Sequence, residues 1–286
     1  MKNLIKSTIA VVLFIFSGTI EAQKKSPQLE NSLLWEVSGN GLTKPSYLYG
    51  TIHMICGSDY FLSDKTKKAF ETSSKLVLEI NMSDPKEMTD MQQMAMGKEP
   101  LSKTLSPEYL SKLETILKNN GLTVQQVDNF KLFTIMSLIS MKSFGCNDLK
   151  FYEMNFIETA KQRKLPIIGL ETVKLQMEAF AKSYTDTEMI DALKESSAEE
   201  TTKLVSQYKQ ENITAIYDSF SENKYMSKKT KEIILDNRNE NWIKQLPGLM
   251  QNESLFIAVG SAHLAGESGV INLLRKAGYK VKPVMN

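Results

Sequence analysis

Two histidines occur in the 286 residues of this chain, and both end the same short pattern. His53 closes YLYGTIH and His263 closes FIAVGSAH, so each is the last residue of a G-x-x-H that follows an apolar run. Glycine permits a tight turn or a close backbone approach where a Cβ would clash. An imidazole just past the carboxyl end of a strand stands where α/β proteins gather their ligand groups. Gly50 and Gly260 are therefore read as the structural half of each motif, and His53 and His263 as the chemical half. Should the two strands be neighbours, rings from opposite ends of the chain converge on one pocket. For either ring alone, a structural role beside a turn stays open.

Two carboxylates hold comparable positions. Glu79 lies in LVLEIN and Glu171 ends PIIGLE, each in apolar sequence where a carboxylate is costly unless paired or metal-bound. A strand-end glutamate can also face solvent or cap the next helix. Two imidazoles with one or two carboxylates suit a divalent ion of the Mn, Co, Zn or Fe type, with positions left for water and substrate. His53, His263 and Glu79 are the expected ligands, and Glu171 the expected base or supporting acid, with the two glutamate roles exchangeable. Such an ion acidifies bound water while the spare glutamate moves the proton. The chain has no H-E-x-x-H for a zincin helix and no G-x-S-x-G for a serine nucleophile. Met88, Met91, Met94 and Met96 have near-helical spacing and read as a packing stripe or adaptable groove rather than a copper site.

The elements that must position these groups are legible as short apolar runs. Ser46–Ile52, Lys75–Ile80, Pro166–Leu170, Leu255–Gly260 and Tyr279–Val284 read as strands, and Leu33–Val37 as a further candidate. Ser106-Pro107-Glu108 opens a helix as N-cap, first-turn proline and first-turn acid. Helical spacing also runs through Val124–Lys142, Glu153–Lys164 and much of Val173–Gln245. The expected architecture is one α/β (α+β) domain with a central, mostly parallel sheet and long helical insertions. A strand–GxxH–helix–strand unit stands at each end of the chain.

Composition narrows the function classes. With 42% hydrophobic residues the chain has material for a sizeable core, and 35 basic against 33 acidic residues imply no nucleic-acid face. Lys2 and Lys6 precede the apolar stretch Ile9–Phe16 and a small-residue end at Ala22, the pattern of a secretory leader. Residues 1–22 are thus expected to be removed and 23–286 to form the domain, exported to the periplasm or secreted, with no stable membrane span. In an oxidising compartment Cys56 and Cys146, the chain's two cysteines, are expected to join.

Longer stretches carry a resemblance. Leu33–His53, Leu76–Asn81, Tyr152–Ala160, Pro166–Gln176, Arg238–Trp242 and Phe256–Val284 resemble the TraB/GumN family, which includes metalloproteases. More distantly they are similar to erythromycin esterases and haem-binding ChaN proteins. The resemblance covers nearly the whole chain after the leader. It implies a paired G-x-x-H active site at Gly50/His53 and Gly260/His263, an acid-bearing strand at Glu79 and a G-L-E motif at Glu171. Arg238 matches the family's arginine before the tryptophan, where it could bind a carboxylate or a developing oxyanion, or form a structural ion pair. Position 81 is Asn where many relatives have Asp, so a second acid is absent there.

The resulting expectation is an exported, metal-dependent hydrolase acting on a peptide or another acyl substrate. Two other readings use the same cleft: a haem- or peptide-binding protein without turnover, and a metal-independent esterase in which a histidine activates water.

Overall fold

The two runs that end in G-x-x-H are adjacent strands. The computed structural model describes residues 28–195 and 197–285, so the expected leader lies outside the described residues. Its strands are β1 (Leu34–Ser38), β2 (Ser46–Thr51), β3 (Met54–Cys56), β4 (Lys75–Ile80), β5 (Leu149–Phe151), β6 (Ile167–Glu171), β7 (Leu255–Gly260) and β8 (Lys280–Pro283). Six form one sheet in the order β6-β4-β7-β2-β1-β8. The first four run parallel, and β1 is antiparallel to both its neighbours. The fold is α/β, as the alternation of apolar runs and helical blocks implies.

Burial explains the composition of the central strands. Every residue of β7 is buried, as are the middle four of β4, because helices cover both faces of the sheet. Trp35, Leu48, Val77, Ile257 and Trp242 belong to this main core. A second apolar cluster, including Leu113, Leu117, Ile135, Ile139 and Ile190, holds the inserted helices to one another. Helix Pro107–Asn119 starts where its cap predicts, with Ser106 Oγ accepting from the Tyr109 N–H.

Three local features differ from the sequence expectation. The stretch 124–142 is broken into helices Val124–Val127 and Leu132–Ser143, because extended Lys131 donates its N–H to the Ala95 carbonyl instead of continuing the helix. In helix Pro85–Ala95, Met88 and Met91 are exposed rather than packed. Strands β3 and β5, which the apolar runs do not mark, pair antiparallel as a separate two-stranded ribbon.

That ribbon is cross-linked. Cys56, at the end of β3, is disulfide-bonded to Cys146, just before β5, with the Cα atoms 6.0 Å apart. A two-stranded ribbon of three residue pairs is marginal by itself in water, so the bond and the neighbouring core must hold it. Among the described residues no helix is long and apolar enough to cross a membrane.

Replacing Cys56 and Cys146 together by serine is expected to lower stability by about 2–4 kcal/mol through the denatured state. Urea unfolding of the two proteins, in the absence of reductant, measures it. An unchanged midpoint contradicts a stabilising bond.

Candidate active site

The strand order places four sequence-predicted groups along one edge of the sheet. Glu171 ends β6, Glu79 lies near the end of β4, His263 follows β7 and His53 follows β2, and these four strands are consecutive neighbours. In register, Thr51 stands opposite Gly260 and Ile80 opposite Glu171. All four residues therefore stand at or just past the carboxyl ends of parallel strands, with Arg238 added from helix Asn237–Met250.

The glycines set how closely these groups approach. A Cβ on Gly260 would lie 3.1 Å from His53 Nε2 and 3.3 Å from Glu79 Oε1. On Gly50 it would meet Leu264 Cδ1 at 2.9 Å and the Ser261 backbone at 3.1 Å. Each glycine of the paired motif thus makes room for the loop of the other half.

His53 is held from outside the sheet. Its φ is +61°, a region that a non-glycine residue occupies only when its surroundings fix it there. Its carbonyl accepts the Tyr152 N–H at 2.9 Å, continuing the β3–β5 ribbon by one step. Its Nδ1 lies 2.8 Å from Glu153 Oε1, which also accepts from Thr51 Oγ1 at 2.6 Å. The imidazole side chain is 58% exposed, with Nε2 on the side of the ring that faces Gly260 and Glu79. Desolvation works against a charged ring, but Glu153, by charge and hydrogen bond, and Glu79 outweigh it and hold His53 up at about 9.

His263 has the opposite environment. Its Nδ1 is 2.6 Å from Asn239 Oδ1, and its Nε2 is 3.1 Å from Arg238 Nη1. A guanidinium can only donate, so Nε2 is the acceptor and Nδ1–H donates to Asn239. Burial and Arg238 outweigh Glu79 and push this ring down to about 3. Trp242 packs against it with centroids 4.5 Å apart. One imidazole is therefore charged at neutral pH and the other is not.

The carboxylates are tied to Arg238. Its Nη2 lies 2.5 Å from both Glu79 Oε2 and Glu171 Oε1, and its Nε 3.0 Å from Glu171 Oε1. Gln176 Nε2 donates to the same two carboxylates at 2.9 Å. Glu79 Oε1 accepts the Gly260 N–H at 2.7 Å. Burial opposes the Glu79 charge, yet His263, Arg238, His53 and that N–H together hold its carboxyl at about 2.

Two imidazoles and two carboxylates are apt donors for a divalent ion, but their arrangement does not present them to one. Among the described residues no three His, Cys, Asp or Glu side chains converge closely enough to hold an ion. Glu79, Glu171 and His263 instead converge on the Arg238 guanidinium.

Three participants carry no assignment from the sequence, Glu153, Gln176 and Asn239, whereas Trp242 reads there as a core or site-lining aromatic. Glu153 and Asn239 fall inside stretches that resemble the family, YEMNFIETA and RNENW, but nothing local marks them as partners of an imidazole.

Because the His53 pKa is raised by Glu153, the pair adds stability in full below about pH 6.5, and that contribution disappears as pH rises to about 9. Glu153→Gln is expected to lower the His53 pKa by more than about one unit. It should also lower the melting temperature at mildly acidic pH and have a diminishing effect toward alkaline pH. Proton NMR titration of the imidazoles and melts across pH check this, and an unmoved His53 pKa contradicts the pairing.

The chain is similar in sequence to known proteins. Metalloprotease TIKI1 of Danio rerio is 22% identical over 90% of this chain and 64% of its own length. Metalloprotease TIKI1 of Homo sapiens is 23% identical over 93% of the chain and 64% of its length. For Metalloprotease TIKI2 of Danio rerio the values are 22%, 88% and 61%. The chain thus spans less than two thirds of the length of these relatives. The sequence profile of the TraB/PrgY/gumN family matches residues 33–283, from just before β1 to the end of β8. The chain belongs to the TraB/PrgY/gumN family.

Proposed function

We propose that this chain is an exported hydrolase cleaving a peptide or another acyl bond, with His53 as its proton shuttle. The observation that carries the reading is the exposed His53 ring, oriented through Nδ1 by Glu153 and with Nε2 placed toward the ionised Glu79. In its neutral form the ring takes a proton at Nε2 from the attacking water and returns it to the leaving group. Glu153 fixes the tautomer, and both carboxylates stabilise the imidazolium that forms. The same division of labour orients and supports the histidine of hydrolytic triads.

Similarity to proteins named metalloproteases supports a peptide as substrate and a divalent ion as cofactor. His53, His263 and Glu79 are the ligands this sequence offers, and an ion bound there would acidify water and polarise the acyl carbonyl. With His263 and Glu79 engaged by Arg238, the proton steps above rest on the chain's own groups. Export is supported by the leader-like residues 1–22 and by the Cys56–Cys146 disulfide.

Digestion of a peptide library by the mature chain tests the reading. His53→Ala is expected to reduce kcat/KM by about 10²–10⁴-fold, the usual worth of a positioned general base. Since the base is the neutral ring, kcat/KM should rise with pH up to about 9. Full activity in His53→Ala, or a rate that falls between neutral pH and 9, contradicts it.

A further inference from the structure

The Arg238 side chain is placed for a different task from capturing a substrate. A guanidinium has five N–H donors in a fixed fork. Here Nε donates to Glu171, Nη1 to the Ile234 carbonyl at 2.9 Å and to His263 Nε2, and Nη2 to Glu79 and Glu171. Every donor is thus spent on the protein, and the side chain is 14% exposed. Its position is fixed on two further sides. The Cζ lies 5.2 Å from the Trp242 ring centroid, and Ile234 belongs to the π-helical turn Glu232–Asp236 that leads into the helix carrying the arginine. Such wide turns inside helices occur frequently at functional sites.

The atoms that Arg238 engages are the lone pairs a divalent ion would need. Glu79 Oε2, Glu171 Oε1 and His263 Nε2 each accept from it, and Glu79 Oε1 is taken by the Gly260 N–H. An ion entering among these groups would have to displace the guanidinium and would be repelled by it until it did so. We propose that Arg238 is the resident cation of this centre, occupying at Glu79, Glu171 and His263 the donor positions of a divalent ion, so that the two compete. The inference takes its site from the proposed hydrolase, but its test reads ion binding and not turnover.

Removing the guanidinium frees two carboxylates and one imidazole of their shared partner, donor types that Mn²⁺ and Zn²⁺ accept. Isothermal titration with MnCl₂ and with ZnCl₂ is to be run on the wild-type mature chain, Arg238→Ala and Arg238→Met. The methionine keeps apolar bulk against Trp242 and serves should Arg238→Ala not fold. The expected result is at least about tenfold tighter binding of one ion per chain in the variant, about 1.4 kcal/mol, with the melting temperature raised by the ion in the variant but not in the wild type. Adding His263→Ala should abolish the gain. Equal or weaker ion binding in the variant, including no binding to either protein, overturns the proposal. So does a wild-type chain that holds one ion tightly and loses it in His263→Ala. Absence of peptide cleavage, together with the expected ion result, would count against the hydrolase reading alone.

Discussion

The Arg238 guanidinium is the interaction on which the centre depends. Two carboxylates at the ends of adjacent parallel strands, Glu79 and Glu171, share the interior of a sheet edge with an imidazole. Unpaired, such charges would be expensive to bury. Arg238 reaches them from a helix that belongs to neither strand unit and joins all three groups. Its fork geometry suits planar carboxylates in a way that a lysine ammonium does not. The same contact keeps Glu79 ionised and His263 neutral.

Two equal motifs thereby become unequal parts. His53 and His263 follow equivalent strands and equivalent glycines, and the strands are direct neighbours. Their partners differ: a carboxylate at Nδ1 of His53, an amide at Nδ1 and a guanidinium at Nε2 of His263. Burial and the neighbouring charges then separate them. The exposed ring gains a proton affinity above its ordinary value, while the buried one serves as a fixed acceptor in the wall of the site. The symmetry of the sequence is thus a symmetry of scaffold and not of chemistry.

Much of this was legible in the sequence because strands buried on both faces read as unbroken apolar runs, as LFIAVG and KLVLEI do. Functional groups at the ends of such runs share an edge whenever the strands pair in parallel, which is how His53, His263, Glu79 and Glu171 could be grouped. The ribbon β3–β5 gave no such signal, since three residues are too few for a period and LKF is largely exposed. Glu153 was therefore invisible as the partner of His53. Gln176 and Asn239 were hidden for a related reason: a helix-borne side chain reaches a site only through tertiary packing, which local pattern does not encode. Arg238 is marked by resemblance to the family, but its five-donor engagement is visible only once the strands are ordered.

Since the chain has only two histidines, the ring nitrogens can be observed directly by ¹⁵N NMR of the mature protein at neutral pH. The account predicts one doubly protonated imidazole, His53, and one neutral imidazole protonated at Nδ1 alone, His263. Two rings in the same protonation state, or a His263 carrying its proton on Nε2, would contradict it.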